Sequence, residues 1–201
     1  MTEKIQAVIF DMGGVLLRSE DYGPREALAN KYCLSLNQFE DLVFENETAR
    51  LATVGKIPET AHWKAVCNTL KVPMEQIKSF EDDFWKVDSL DSELIDFLDS
   101  LRPKIKTALL SNAWNGARQA LLNRHACRDV FDVSIFSYEV ALAKPDPEIY
   151  KLILKRMNVK ATEAIFLDDN LQNIESAAAL GIHAIHFHSA AQAMEEIRKL
   201  L

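Results

Sequence analysis

Three short apolar runs in this chain each stop at a cluster of oxygen-bearing side chains. Ile5–Phe10 reads Ile-Gln-Ala-Val-Ile-Phe and meets Asp11; Lys106–Leu110 meets Ser111-Asn112; Ala164–Leu167 meets Asp168-Asp169. In the first run five of six residues are apolar, with β-branched Ile5, Val8 and Ile9 and aromatic Phe10. That density fits a strand buried on both sheet faces, not the alternation of a half-exposed one. Gly13-Gly14 follow Asp11, so the chain can turn sharply there and a ligand can approach the backbone closely.

Between and after these runs the spacing becomes helical. Asp91–Leu101 places Leu94, Ile95, Leu98 and Leu101 on one side and is followed by Pro103. Helices are expected over 116–123, from Lys144-Pro145-Asp146-Pro147 to Met157, over 172–180 up to Gly181, and over 190–201. Further strands are expected at Val133–Phe136 and Ile182–Phe187. The repeated strand–helix order predicts an α/β fold: a doubly wound, Rossmann-like, mostly parallel sheet. Residues 17–88 have a different texture. Pro24–Tyr32, Leu36–Phe44 and Glu59–Leu70 are amphipathic, with a break at Gly55-Lys56-Ile57-Pro58, and no segment resembles a central strand. The chain is therefore divided into a Rossmann-like core, 1–16 and 89–201, and an inserted helical segment, 17–88.

At 201 residues there is enough chain for a core plus this insertion. The formal net charge of -7 argues against nucleic acid as a partner, because such binding runs on basic surface. Cys33, Cys67 and Cys127 are odd in number and lack metal-ligand spacing, which suits reduced thiols in a cytoplasmic protein. No apolar run precedes Asp11 that would serve as a signal peptide or membrane span. The expectation is a protein with no membrane partner; oligomeric state is not encoded in any motif.

In a parallel sheet the carboxyl ends of the strands share one edge, where ligands collect. Asp11, Ser111, Asn112, Asp168 and Asp169 would converge there, with Lys144 on a neighbouring loop. Taken singly, each has a plainer reading: Asp11 as a turn cap, Asp168-Asp169 as helix caps, Ser111-Asn112 as turn residues, Lys144 as a surface cation. Taken together, three carboxylates repel one another unless a cation joins them. Hard oxygen ligands beside a phosphate-sized anion point to Mg²⁺, with Lys144 and the backbone N–H groups after Ser111 holding the anion.

Phe10–Val15 (Phe-Asp-Met-Gly-Gly-Val), Leu110–Asn112 (Leu-Ser-Asn), Lys144–Tyr150 (Lys-Pro-Asp-Pro-Glu-Ile-Tyr) and Phe166–Asn170 (Phe-Leu-Asp-Asp-Asn) occur in the order found in the haloacid dehalogenase (HAD) superfamily. The chain resembles its phosphatase-like members with an α-helical cap inserted after the first motif. The resemblance implies a HAD-like core in which Asp11 attacks phosphorus as the nucleophile, while Lys144 neutralises the phosphate and Asp11. It implies that Ser111 binds a phosphoryl oxygen, assisted by the Asn112 backbone. It further implies that Asp11, the Gly13 carbonyl, Asp169 and Asp168 form the Mg²⁺ site, Asp168 indirectly, and that Asn173 supports the acidic pair. The small-molecule substrate is expected to be phosphorylated, with sugar phosphates favoured.

One position departs from the pattern. Phosphatases of the family usually carry a second aspartate two residues after the nucleophile; here that residue is Gly13, which cannot protonate a leaving oxygen. A positioned acid is worth about 10² to 10⁴ in rate. Three readings stay open: a phosphatase for leaving groups that need little protonation or that recruits Glu20, Asp21 or His62 as acid; a weakened regulatory or binding protein; and a metal-independent dehalogenase. Candidate substrate contacts from the cap are Glu20, Tyr22, Glu45, Asn46, Glu47, Arg50 and Gly55-Lys56; Trp114 and Asn115, just after Ser111, either contact the substrate there or start the next helix with Asn115 as its cap. His183, His186 and His188 are expected to play no metal role.

Overall fold

The computed structural model describes residues 4–19, 21–127 and 129–201. Five strands form one parallel sheet: β1 (Ala7–Phe10), β4 (Lys106–Ser111), β5 (Val133–Phe136), β6 (Ala164–Asp168) and β7 (His183–His186). Two more, β2 (Leu17–Ser19) and β3 (Asp88–Leu90), pair antiparallel as a separate ribbon. In the sheet the order is β5-β4-β1-β6-β7, so β1 is central. Both its faces are covered, and Ala7, Val8, Ile9 and Phe10 have no exposed surface, as the unbroken apolar run requires. Val8 and Phe10 join Leu94, Leu98 and Ile197 on one face. On the other, Ala7 and Ile9 join Ile149, Ile153 and Phe166. This is the doubly wound α/β architecture expected.

Three helices on the sheet start where a polar side chain satisfies the open N–H groups of the first turn. Asp91 accepts from Leu94 N at the start of α6 (Ser92–Leu101), Asp146 from Glu148 N at α9 (Pro147–Met157), and Asn170 from Gln172 N at α10 (Leu171–Ala179). The chain closes with α11 (Ala190–Leu200), begun by a Ser189–Gln192 capping box. The helix expected over 116–123 is instead a single turn, α7 (Ala117–Gln119), that widens into a π-helical turn, Ala120–Arg124. A short α8 (Ser137–Val140) follows β5 directly.

Between β2 and β3 the described residues form five α-helices: α1 (Gly23–Asn30), α2 (Leu36–Phe44), α3 (Glu47–Thr53), α4 (Glu59–Thr69) and α5 (Ile77–Trp85). They pack on their own aromatic cluster, in which Phe39, Trp63 and Phe84 are fully buried. Burying side chains of this size is worth about 1.5–3 kcal/mol each, so the cluster accounts for much of why five short helices hold together. Arg25 crosses the base of this helical insert, pairing with Glu40 at 3.1 Å and Asp88 at 3.0 Å and lying over Phe84. Asp88 belongs to β3 and also accepts from Ser19 of β2 at 2.5 Å, which ties the insert to its two connecting strands.

Candidate active site

Strand pairing alone brings Asp11 and Asp168 together. Phe10 faces Leu167 across the β1–β6 ladder, and Asp11 N continues it by donating to Leu167 O at 2.9 Å. Ser111 ends β4 on the other side of β1, and Asn112 follows it. Lys144 arrives on the loop before α9, where the Asn112 side chain accepts from Lys144 N and donates to Lys144 O, both at 2.8 Å. That double hydrogen bond fixes the lysine backbone, and its Nζ reaches Asp11 Oδ1 at 2.7 Å and Asp168 Oδ2 at 2.6 Å. Asp168 is fully buried and Lys144 and Asp11 nearly so.

Asp168 has both oxygens occupied. Asn173 Nδ2 lies 3.0 Å from each, Asn170 N donates to Oδ1 at 2.8 Å, and Lys144 takes Oδ2. Asn173 is held in turn by α10, whose Asn173 carbonyl accepts from Tyr150 Oη at 3.0 Å. Asp169 differs: among the described residues no other residue is recorded donating to its carboxylate. It sits against Gly14, where a Cβ would lie 2.0 Å from Asp169 Oδ2 and where φ is +73°. Only glycine satisfies both conditions, the open backbone angle and the missing atom. Gly13 is the reverse case, since a Cβ there would meet nothing within 4 Å.

The charges do not balance. Carboxylate oxygens of Asp11, Asp168 and Asp169 lie within 4.8 Å of one another, faced by the single ammonium of Lys144. Burial pushes Asp11 up to about 8, with the Asp168 and Asp169 charges adding to it against the pull of Lys144. Burial and then Asp168 raise Asp169 as well. Burial by itself would discharge Lys144, but the two carboxylates outweigh it and hold its pKa above the ordinary lysine value. A site that holds protons for want of positive charge, built from hard oxygen donors, fits a divalent cation such as Mg²⁺. The free Asp169 carboxylate and the second oxygen of Asp11 are the groups open to it, with Asp168 committed to its hydrogen bonds.

Of the eight residues singled out, Asp11, Gly13, Ser111, Asn112, Lys144, Asp168 and Asp169 lie on this edge or on loops beyond it, and Asn173 lies in the first turn of α10. The proposed surrogate acids fare differently. His62 is fully buried among the insert aromatics, with Nδ1 2.8 Å from Thr48 Oγ1 and burial lowering its pKa to about 4, so it is no acid for the crevice. Asp21 is spent on a turn, accepting from Gly23 N at 2.8 Å. Glu20 lies outside the described residues. Asn46 caps α3, accepting from Ala49 N. Asn115 does cap a helix, but it is α4 of the insert, through Glu59 N at 2.6 Å, not the helix that follows it. His186, on β7 beside Asp168, has Nε2 2.9 Å from Asp169 O, so it holds the backbone of an acidic residue that its own sequence neighbours do not reveal.

A five-stranded parallel α/β sheet thus carries a buried carboxylate, an ammonium and an acidic pair on one edge. The family model for haloacid dehalogenase-like hydrolases matches residues 5–181, and the chain belongs to that family. It is 30% identical over 189 residues to the phosphorylated carbohydrates phosphatase of Thermotoga maritima, covering 90% of this chain and 84% of that protein. A 43% identical match over 74 residues spans 7% of acyl-CoA dehydrogenase family member 10 of Mus musculus. Among solved structures, a HAD family enzyme of Bacteroides thetaiotaomicron in complex with magnesium and inorganic phosphate superposes with a TM-score of 0.72 at 23% identity, covering 92% of this chain and 96% of that one. L-2-haloacid dehalogenase from Xanthobacter autotrophicus superposes with a TM-score of 0.68 at 20% identity, covering 96% of this chain and 83% of that one. No described helix is long and apolar enough to cross a membrane.

Proposed function

We propose that this hydrolase is a Mg²⁺-dependent phosphatase of small phosphorylated metabolites, sugar phosphates foremost. The observation that carries the reading is the excess of negative charge: three carboxylates within 4.8 Å and one ammonium. A dehalogenase that attacks carbon without metal has no use for the unpaired Asp169. The kinship with a phosphatase of phosphorylated carbohydrates supports the substrate class.

In this reading an Asp11 carboxylate oxygen attacks phosphorus, the ester P–O bond breaks, and an aspartyl-phosphate forms. Water then attacks that phosphorus, its proton passes to solvent, and Asp11 is released as carboxylate. Lys144 holds Asp11 and offers positive charge to the transferring phosphoryl group, and Ser111 with the N–H groups after it receives the phosphoryl oxygens. Bound Mg²⁺ would supply the charge that keeps Asp11 ionised and offsets the phosphate. The helical insert closes the crevice against bulk water. Because Gly13 offers no proton, the leaving oxygen departs as an anion or takes its proton from solvent, which favours anomeric sugar, aryl and acyl phosphates over primary alkyl esters.

The test is hydrolysis of p-nitrophenyl phosphate, an anomeric sugar phosphate and a primary alkyl phosphate, each with Mg²⁺ or EDTA. Turnover that needs Mg²⁺ and vanishes in Asp11→Asn supports the reading. The open space at Gly13 leaves room for Gly13→Asp, which should raise alkyl-ester turnover by about 10²-fold or more. Turnover that persists in EDTA on a haloacid would select the dehalogenase instead. Inactivity on all substrates, with no gain in Gly13→Asp, would leave a binding protein.

A further inference from the structure

The loop Asn112–Gly116, directly after Ser111, is tied at every residue to another element, and the ties change sides midway. Asn112 is bound to the Lys144 backbone, and Ala113 N and O both meet Ser137 Oγ, at 2.9 and 3.2 Å. Those two belong to the sheet side. The next three belong to the helical insert. Trp114 Nε1 donates to Thr53 Oγ1 at 3.1 Å, and its ring is built into the insert's aromatic cluster, 5.8 Å from Trp63 and 4.3 Å from His62. Asn115 Oδ1 accepts from Glu59 N at 2.6 Å, and Gly116 N donates to Glu59 Oε2 at 2.9 Å. The other oxygen of Glu59 accepts from Trp63 Nε1 at 3.2 Å. One carboxylate therefore joins the insert's most buried tryptophan to the loop that leaves Ser111.

We propose that Glu59 is a positioning residue for phosphate binding, latching the helical insert onto the Asn115-Gly116 peptide so that docking of the insert sets the position of Ser111 and Asn112. The proposal rests on the phosphatase reading for what Ser111 and Asn112 bind. Its geometry is independent of the acidic cluster. Three residues separate Gly116 from Asn112, and Ala113 is clamped on both its backbone groups, so a shift of the insert is passed to the phosphate end without slack. Displacements near 1 Å at such a site are enough to weaken binding and turnover strongly. The same latch has a built-in steric probe: a Cβ on Gly116 would lie 2.5 Å from Glu59 Oε2 and force the carboxylate away.

The experiment compares full-length wild type, Glu59→Ala, Glu59→Gln and Gly116→Ala, with Leu28→Ala as a control that loosens the insert core on α1, which packs on α2 and α5. Calorimetry measures the Kd of inorganic phosphate in Mg²⁺, which needs no turnover; KM, kcat and Tm are measured beside it. Losing the charged hydrogen bonds should raise the phosphate Kd and KM by about 5- to 30-fold in Glu59→Ala and in Gly116→Ala. Glu59→Gln, which keeps one acceptor oxygen, should fall between them and wild type, and Leu28→Ala should lower Tm with Kd unchanged. A phosphate Kd within twofold of wild type in both Glu59→Ala and Gly116→Ala overturns the proposal, whatever their Tm; Gly116→Ala decides alone if Glu59→Ala does not fold. If wild type binds phosphate but hydrolyses nothing, the phosphatase reading falls and the Kd comparison still judges the latch. If wild type does not bind phosphate in Mg²⁺, both fall together.

Discussion

Lys144→Met should deepen the charge imbalance of the acidic edge and destabilise the fold. The lysine side chain is 1% exposed and its Nζ lies within 2.7 Å of two carboxylates, one of them wholly buried. A methionine fills most of the same volume and carries no charge, so the effect isolates electrostatics. Removing one member of a buried ion pair costs about 3–5 kcal/mol. For a chain of this size each kcal/mol moves Tm by about 2–4 °C, so Tm in EDTA should fall by about 6–20 °C. Scanning calorimetry in EDTA and in saturating Mg²⁺ measures it, with the gap narrowing in Mg²⁺ as the cation replaces the lost charge. The double variant gives the sharper sign. In the Lys144→Met background Asp11→Asn removes the need for the fold to take up a proton at Asp11 and should raise Tm. A Tm in EDTA within about 2 °C of wild type, or an Asp11→Asn that lowers Tm further in that background, would refute the charge accounting.

Other perturbations read separate parts of the molecule. Gly14→Ala places a methyl group 2.0 Å from the Asp169 carboxylate at φ +73°, so Mg²⁺ affinity by calorimetry should weaken and kcat should fall by about 10²-fold or more; unchanged affinity would mean that Asp169 is not a ligand. His62 has a folded pKa of about 4 against an ordinary 6.5. Its neutral form is the one the fold accepts, so this contribution is complete above about pH 6.5 and is lost as pH falls toward 4, by up to about 3 kcal/mol. Urea unfolding of wild type and His62→Phe should therefore give a stability difference that shifts in favour of the variant as pH drops from 7 to 4.5, and a pH-independent difference would contradict it. Trp63→Ala, at a fully buried position of the insert, should cost about 3–5 kcal/mol by the same unfolding assay, and a loss under 1 kcal/mol would mean that the aromatic cluster collapses to fill the gap.

Local signals settled the core of the molecule. A run such as Ala164–Leu167 has too many apolar residues for any exposed element, and the helices between such runs begin at Asp91, Asp146, Asn170 and Ser189, which cap their own first turns. Strand ends in a parallel sheet share an edge, so Asp11, Ser111 and Asp168 could be grouped from order alone. What depended on partners far along the chain was not legible. β2 and β3 have three residues each, too few to show a period, and exist because Leu17 and Leu90 face each other across the ribbon. The helices α3 and α5, absent from the expectation for residues 17–88, do carry local marks: the Asn46 cap of α3 and the helical spacing of Ile77, Phe80 and Phe84 in α5. His62 read as a polar group free to reach the crevice, until packing against Trp63 and Trp114 enclosed it. Asn115 read as a cap for the residues after it, because sequence shows only neighbours, whereas the open N–H group it satisfies is that of Glu59, 56 residues earlier. The sequence by itself determined which residues meet at the acidic edge and the order of the elements that hold them. The tertiary structure alone decided the charge imbalance at Asp169, the clamp of His186 on its backbone and the Glu59 latch, since burial, distance and hydrogen-bond partnership arise only when remote segments meet.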